Sequence, residues 1–341
     1  MRSAINIPLC STWQLLPYLA LLDDFGVQWQ TIAGRLGLPT SCPDAANFIS
    51  TPQYCRFLAE ITRREAIPDL AVRANLGRVG RLHIWQPVPR VMSACLSAPT
   101  LNLGLREICE TANTQSTSLS LWLMDKEQHT WLCSTSSSVS GIPGCEQTEQ
   151  ARVLQIVALV QRFLGFEWQP LEVHLQSRAQ PEALFSEVLG GPRIFTARPH
   201  TALPIPKPLL STPGSVRQSP LAHHGNESNA SDTTQWDWLQ RLRAILPTYV
   251  LYDQPTLETV AEIASVHLRT LQRALAAEGL SFREMLEQAR YEVARQRLAD
   301  SSMTVAEISQ LLGYTEPTNF SRAFRRISGR TPSQYRTDLV A

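Results

Sequence analysis

Lysine is almost missing from this chain: of 31 basic residues, only Lys126 and Lys207 are lysines. Positive charge is therefore carried by arginine, whose planar fork matches guanine and phosphate better than an ammonium does. A net charge of +1 excludes a polybasic coating but not a local basic surface, because the placement of charge matters more than its sum. Cysteine is sparse and unpatterned: Cys10, Cys42, Cys55, Cys95, Cys109, Cys133 and Cys145 are odd in number and form no CxxC pair. That speaks for reduced, mostly inert buried thiols, against a disulfide framework and against a structural zinc site. No apolar run reaches the roughly 18–20 residues that a membrane span needs. The stretch Leu15–Leu22 is broken by Pro17 and runs into Asp23-Asp24, so it reads as a core helix and not as a signal peptide. GxSxG, HExxH, P-loop and GxGxxG signatures are all missing.

What is present is an ordinary globular composition, 43% hydrophobic and 18% charged, in a length that suggests two domains. The first part opens with helical periods. Trp13–Phe25, Trp29–Leu36 and Thr51–Arg64 each carry an apolar face, short helices are expected over Pro68–Leu76 and after Pro99-Thr100, and Gly37 and Gly77 supply stops. Near Ser116 the period changes to two. Leu119, Leu121 and Leu123 alternate with polar neighbours, and Thr130–Ser136 is the expected hairpin partner across Asp125-Lys126-Glu127. A long apolar helix is predicted over Glu149–Leu164, then strands at Leu171–Leu175 and Arg193–Thr196, with a short helix at Pro181–Leu189 between them. Pro204, Pro206 and Pro208 mark a break. From Leu210 to Thr234 the chain is rich in Ser, Pro, Gly, Asn and His without a hydrophobic period, as a linker is. His223-His224 lies there and is read as solvated, not as a metal hook.

The C-terminal part repeats a plan. Helix resumes at Trp236 and is expected to stop near Pro247. Val260–Ala264, a turn at Ser265 and a helix from His267 to Glu278 form one unit. Thr304–Glu307 is a capping box, Val305, Ile308, Leu311 and Leu312 make one apolar face, and Gly313 supplies a tight corner. A second helix then runs from about Glu316 to Ser328, with Phe320, Phe324 and Ile327 inward and Thr318, Asn319, Arg322, Arg325 and Arg326 outward. Leu271-Gln272-Arg273-Ala274-Leu275 recurs as Phe320-Ser321-Arg322-Ala323-Phe324; Ser265 answers Gly313, and Gly279 answers Gly329. Two helix-turn-helix units, 256–279 and 304–329, are the result, and such units read the DNA major groove. A further capping box, Ser281–Glu284, opens the connecting helix Phe282–Leu298. At ~1.5 Å per residue it is a rod of roughly 26 Å, suited to hold two reading helices about one DNA turn apart. A last capping box, Thr331-Pro332-Ser333-Gln334, starts the final helix.

These residues resemble the AraC/XylS family of bacterial transcription regulators. The resemblance is carried over 236–336 by Arg269-Thr270-Leu271-Gln272-Arg273, Leu312-Gly313-Tyr314, Phe320–Phe324 and the closing Gly329–Arg336. More weakly, Leu96–Leu101 and the Leu203-Pro204-Ile205-Pro206 ending are similar to the arabinose-binding-type, OruR-like sensor domains of that family, without the cupin sugar barrel of its namesake. The resemblance implies an α+β N-terminal sensor domain, residues 1–208, then a flexible linker, 209–234. An all-α C-terminal domain, 235–341, follows, with two helix-turn-helix motifs joined by a long helix. It implies base contacts by Arg269, Gln272 and Arg273 in the first unit and by Pro317, Thr318, Asn319 and Arg322 in the second. The chemistry agrees: Arg reads guanine O6 and N7, and Asn or Gln reads adenine N6 and N7. Arg325, Arg326, Arg330 and the amide of Thr331 are expected on phosphates.

The partners implied are double-stranded operator DNA, an unidentified small-molecule effector, a second copy of the chain, and RNA polymerase if the protein activates; no cofactor, metal or membrane is called for, and the cytoplasm is the expected compartment. Trp85, Trp122, Trp131, His83 and His129 are candidates to line a sensor cavity, although aromatics at such spacing are usually core. Apolar ligands, amino acids and their derivatives all fit. A second reading makes the N-terminal half catalytic, as in alkyl-transfer repair regulators. Those need a zinc-bound cysteine cluster, which the cysteine spacing does not provide.

Overall fold

In a computed structural model, residues 5–41, 47–77, 80–82, 90–136, 141–214, 236–252, 255–299 and 303–340 are described. Contacts divide the chain into two units, one holding most of the N-terminal part up to Trp236 and the other Asp237–Ala341 with short N-terminal pieces. In chain order the first unit runs β1 (Leu9–Ser11), α1 (Leu16–Asp24), α2 (Trp29–Arg35), β2 (Phe48–Ser50), α3 (Thr51–Arg64), α4 (Leu70–Asn75), α5 (Arg90–Leu96) and α6 (Leu101–Thr111). It continues with β3 (Ser120–Lys126), β4 (His129–Thr135), α7 (Cys145–Leu164), β5 (Glu172–His174), α8 (Ala183–Val188), β6 (Arg193–Phe195) and β7 (Thr201–Pro206).

One core collects the helical opening: Leu19, Leu22, Trp29, Ile32, Phe57 and Ile61 are all buried together. A second core lies under the sheet, where Leu101, Leu105, Val153, Val157, Leu203 and Ile205 pack. The sheet has the order β3-β4-β7-β5-β6, antiparallel except for β5 with β6. This is the α+β architecture expected, with the hairpin turn one step later than its sequence signal, because Asp125 and Lys126 still pair with Thr130 and His129.

Three features depart from the sequence reading. The prolines taken as a break lie in β7, the middle strand of the sheet, where Pro204 stands opposite Trp131 and Pro206 opposite His129. Lys207 N donates to Gln128 O at 3.0 Å, so the odd-numbered residues of β7 turn their N–H toward β4 and the even-numbered ones away from it. On that far side β7 pairs with β5 only at Ala202. Pro204 and Pro206 therefore sit where no ladder bond needs a donor, which is the position a strand proline must take. Helix α7 starts at Cys145, a turn earlier than its apolar run, after Gly144 at φ 88°. A Cβ on Gly144 would stand 2.0 Å from Cys55 O, so only glycine allows α3 and the start of α7 to meet this closely. Finally, residues 207–214 form a 3-10 turn and a docked segment, in which Thr212 O accepts from Leu101 N at 3.0 Å. The remainder of the expected linker, 215–234, with His223-His224, lies outside the described residues, as do His83 and Trp85.

Helix α7 fastens both layers through polar side chains. Gln147 accepts from Ala71 N at 2.8 Å and donates to Pro68 O at 3.0 Å. The buried carboxylate of Glu149 accepts from Gln176 N at 2.6 Å, Ser177 N at 3.1 Å and the hydroxyl of Thr201. The described cysteines are free thiols, and burial pushes Cys10, Cys95 and Cys109 up to about 12. Such thiols stay protonated and unreactive.

The second unit is helical throughout: α9 (Trp238–Tyr252), α10 (Leu257–Ile263), α11 (Leu268–Ala277), α12 (Phe282–Ala299), α13 (Val305–Leu311), α14 (Pro317–Ser328) and α15 (Pro332–Val340). Helix α9 does not stop at Pro247 but passes through it. Proline removes one backbone bond there, while Leu242, Ile245, Leu246, Tyr249 and Val250 on both sides are buried, and α9 packs along α12. Burial of five large side chains outweighs a local cost of about 3 kcal/mol.

Candidate nucleic-acid interface and sensor cavity

Each reading unit is built from caps and a corner. In the first, Thr256 caps α10 by accepting from Thr259 N at 3.2 Å, and Ser265 makes the corner at φ 53°. His267 caps α11 through Nδ1, which accepts from Arg269 N at 3.4 Å. In the second, Thr304 and Glu307 form a reciprocal capping box at 3.2 and 2.7 Å, and Gly313 makes the corner at φ 75°. Tyr314 N then closes back on Ser309 O at 3.1 Å. Pro317 opens α14 at a position that needs no N–H, and Gly329 ends it at φ 75°. Both units thus use the left-handed corner that the sequence comparison of Ser265 with Gly313 anticipates. The capping boxes expected at Ser281–Glu284 and Thr331–Gln334 also form, with Glu284 Oε2 accepting from Ser281 N at 2.8 Å and Gln334 Oε1 from Thr331 N at 3.0 Å.

The inward faces fix the outward ones. Leu271 and Leu275 are buried under α11, and Phe320 and Phe324 under α14. The Phe324 ring packs 5.1 Å from Tyr291 of α12 and 5.5 Å from Tyr335 of α15, centroid to centroid, and Phe320 lies 5.6 Å from Tyr314. Arg290 stands over the Tyr314 ring at 5.5 Å. Ile327, expected inward, remains 37% exposed. Arg336 closes the motif read from the sequence, but its bracing role is signalled by nothing local: its guanidinium donates to Leu298 O at 3.2 Å and Met303 O at 2.6 Å and ties α15 to the last carbonyls of α12 and to the approach to α13.

With those faces fixed, Arg269, Gln272 and Arg273 stand exposed on α11, and Pro317, Thr318, Asn319 and Arg322 stand exposed on the first turns of α14. Among the described residues their side chains make no ion pair and no hydrogen bond, apart from the backbone cap at Arg269 N. The phosphate candidates differ from one another. Arg325 is exposed and unpaired among the described residues, whereas Arg326 Nη2 lies 2.6 Å from Glu287 Oε2 and Arg330 Nη1 2.5 Å from Asp338 Oδ2. The Thr331 amide is engaged by its own capping box.

In the first unit, the aromatic candidates for a cavity wall belong to the sheet. Trp131 packs on His174 at 4.9 Å and Trp122 on His200 at 5.4 Å. A cavity of ≈ 140 Å³ lies elsewhere, with Trp13, Tyr18, Tyr54, Ile108, Leu121 and Arg152 among its lining. These residues come from β3, α1, α3, α6, α7 and the turn before α1, and no local pattern joins them.

Comparison with known proteins places both units. Residues 26–213 match the family described as the arabinose-binding domain of AraC transcription regulators, N-terminal, and residues 260–338 match a helix-turn-helix domain. VqsM, an HTH-type transcriptional regulator of Pseudomonas aeruginosa, is 36% identical over 127 residues, 37% of this chain and 38% of its own. VirS of Mycobacterium tuberculosis, described likewise, is 42% identical over 94 residues, 28% of this chain and 26% of its own. The ornithine utilization regulator of Pseudomonas aeruginosa is 37% identical over 84 residues, 25% of each chain. The chain thus aligns with well under half the length of these curated relatives. The crystal structure of the transcriptional regulator CdpR from Pseudomonas aeruginosa covers 83% of this chain and 90% of its own at 20% identity, with a TM-score of 0.35. With the arabinose-binding-type domain spanning more than half of its length and a helix-turn-helix domain behind it, the chain belongs to the AraC family of transcription regulators, a family of regulators and not of enzymes.

Proposed function

We propose that this protein is a sequence-specific DNA-binding transcription regulator, responsive to a small molecule held by its N-terminal unit, whose two helix-turn-helix units read successive major grooves from one chain. The observation that carries this reading is the outward face of α14. Pro317, Thr318, Asn319 and Arg322 are exposed and unengaged among the described residues, one turn away from Phe320 and Phe324, which are held in the core. Hydrogen-bonding groups free of internal partners at the start of a rigidly seated helix are what major-groove reading requires. Arg269, Gln272 and Arg273 repeat the arrangement on α11, and α12, 18 residues or about 27 Å long, joins the two. Arg325 is the side chain best suited to a phosphate.

The effector-binding role is supported by the arabinose-binding-type match and by the cavity in the N-terminal unit. We further assign a homodimer through that unit, RNA polymerase as partner where the bound site lies beside a promoter, and the cytoplasm as the compartment; among the described residues no helix is long and apolar enough to cross a membrane. Footprinting of DNA bound across the genome tests the central reading. The expected result is sites with two conserved elements about 10–10.5 bp apart, centre to centre. A single short element, or occupancy without sequence preference, would refute two-headed reading. Monomeric mass by light scattering at micromolar concentration would count against the dimer.

A further inference from the structure

The cavity in the N-terminal unit contains a charge without a carboxylate partner among the described residues. Arg152, half-buried on α7, lines it; among the described residues its Nε has no hydrogen-bond acceptor, and its Nη1 donates to Ser136 Oγ at 3.3 Å. The nearest acidic group along the helix, Glu149, is committed to Gln176 N, Ser177 N and Thr201. No described carboxylate stands within ion-pair distance of Arg152. A guanidinium cannot shed its proton to escape this situation, and a buried donor left without an acceptor is disfavoured. Burial pulls its pKa below the ordinary arginine value, with Glu149 opposing the fall.

Three further lining residues hold an unpartnered polar atom among the described residues. Trp13 is 8% exposed and its indole Nε1 meets no acceptor, Thr51 Oγ1 is without a partner, and Gln155 presents an unpartnered Oε1 while its amide nitrogen donates to Asn75 Oδ1. Buried polar groups are nearly always paired, so four unpaired atoms among the residues that line one cavity point to a missing ligand. Pro17, Met92, Ile108, Leu119, Leu121 and Ile156 give the lining an apolar part, beside hydroxyl and amide side chains such as Thr51, Tyr54 and Gln115. A volume of ≈ 140 Å³ gives room for a molecule of on the order of ten non-hydrogen atoms.

From this donor set we infer that the effector is a small organic carboxylate, its anionic group received by Arg152 and the Trp13 indole N–H and its apolar body enclosed by the cavity. Guanidinium and indole are both pure donors, and a carboxylate is a pure acceptor with the geometry of the arginine fork. Gln155 Oε1 offers an acceptor for a hydroxyl or amino group on the same molecule.

The inference rests on the ligand-responsive reading and names its ligand class, so the test separates the two. The full-length protein is titrated calorimetrically with aliphatic, hydroxylated and aromatic monocarboxylates of six to ten non-hydrogen atoms, each beside its primary amide. Neutral sugars and amines of similar size are run in parallel. At least one acid is expected to bind and its amide to bind far more weakly. Arg152→Met is expected to weaken the acid at least about thirtyfold, the loss that follows truncation of a buried charged partner. Trp13→Phe, which removes one N–H and keeps the ring, guards against an unfolded Arg152 variant and is expected to weaken the acid several-fold. Amides binding as well as acids, or acid binding unchanged in both variants, overturns the assignment. Binding only of sugars or amines overturns the carboxylate while leaving ligand response standing, and binding of no class removes both.

Discussion

Arg322, Arg325 and Glu287 together test how α14 meets DNA. Arg322 is exposed without an internal partner among the described residues, so Arg322→Ala removes an outward contact and leaves folding within about 0.5 kcal/mol of the parent. If Arg322 holds a guanine by two hydrogen bonds, its loss costs about 1–3 kcal/mol on the operator, roughly 5- to 160-fold in affinity, and little on random duplex. If Arg325 holds a phosphate, Arg325→Ala weakens all sequences alike. One lost contact lowers the salt slope by about 0.9, which between about 50 and 200 mM amounts to roughly 3.5-fold. Sequence alone suggests that Arg326→Ala behaves in the same way. The 2.6 Å pair with Glu287 changes that expectation, because the charge of Arg326 is already offset. Arg326→Ala should alter the slope less than Arg325→Ala, and Glu287→Gln should tighten binding to operator and random duplex together. Fluorescence anisotropy on both duplexes across that salt range gives all the numbers. Equal losses for Arg322→Ala and Arg325→Ala on the two duplexes would sink the division of labour along this helix.

Other expectations concern the framework. Ser265→Gly should raise the stability of the C-terminal unit by about 1 kcal/mol, by relieving a side chain at φ 53°, and Gly313→Ala at φ 75° should lower it comparably, both read by denaturant titration. Phe324→Ala should cost about 3–5 kcal/mol and abolish operator and random binding together, since α14 loses its seat; retained random binding at parental strength would contradict this. Gly144→Ala should destabilise the N-terminal unit by more than about 2 kcal/mol, because its Cβ would meet Cys55 O at 2.0 Å; an unchanged melting curve would show that α3 and α7 can part cheaply. Glu284 and Glu307 are held below the ordinary 4.5 by hydrogen bonds from Ser281 and Thr304. Their folded-state values are depressed, so the stabilisation is present above about 4.5 and is lost as pH falls through the lowered values. Glu307→Gln should flatten that acid limb, as followed by circular dichroism.

What could be read in the sequence was whatever is specified locally. Capping boxes at Thr304 and Ser281, corners at Gly313 and Ser265, and the 3.6-residue period of Phe320 and Phe324 lie within a few residues of what they control. Alternation at Leu119–Leu123 likewise gave its strand. Features set by distant partners were hidden. The prolines of β7 read as a break because their fitness depends on which neighbour each edge of the strand has, and the three-residue strands β1 and β2 exist only by pairing with each other. Pro247 looked like a stop because the burial that carries α9 through it comes from α12. The cavity was invisible for the same reason: Trp13, Tyr54 and Arg152 are far apart in the chain, and the tryptophans that drew attention, Trp131 and Trp122, pack on His174 of β5 and on His200 just before β7.

The two corners also differ in a way that bears on time. The second unit has a reciprocal capping box, a glycine corner and a proline-started helix ended by Gly329. The first has a one-way threonine cap, a serine forced to φ 53° and a histidine cap at 3.4 Å. Fewer local devices mean a smaller free energy of opening, so Leu268–Ala277 should exchange its amide hydrogens faster than Pro317–Ser328 in the free protein. If each unit reads its own groove, the one that opens more readily is ordered on binding, and slowed exchange confined to α11 would then report engagement of the first half of the operator.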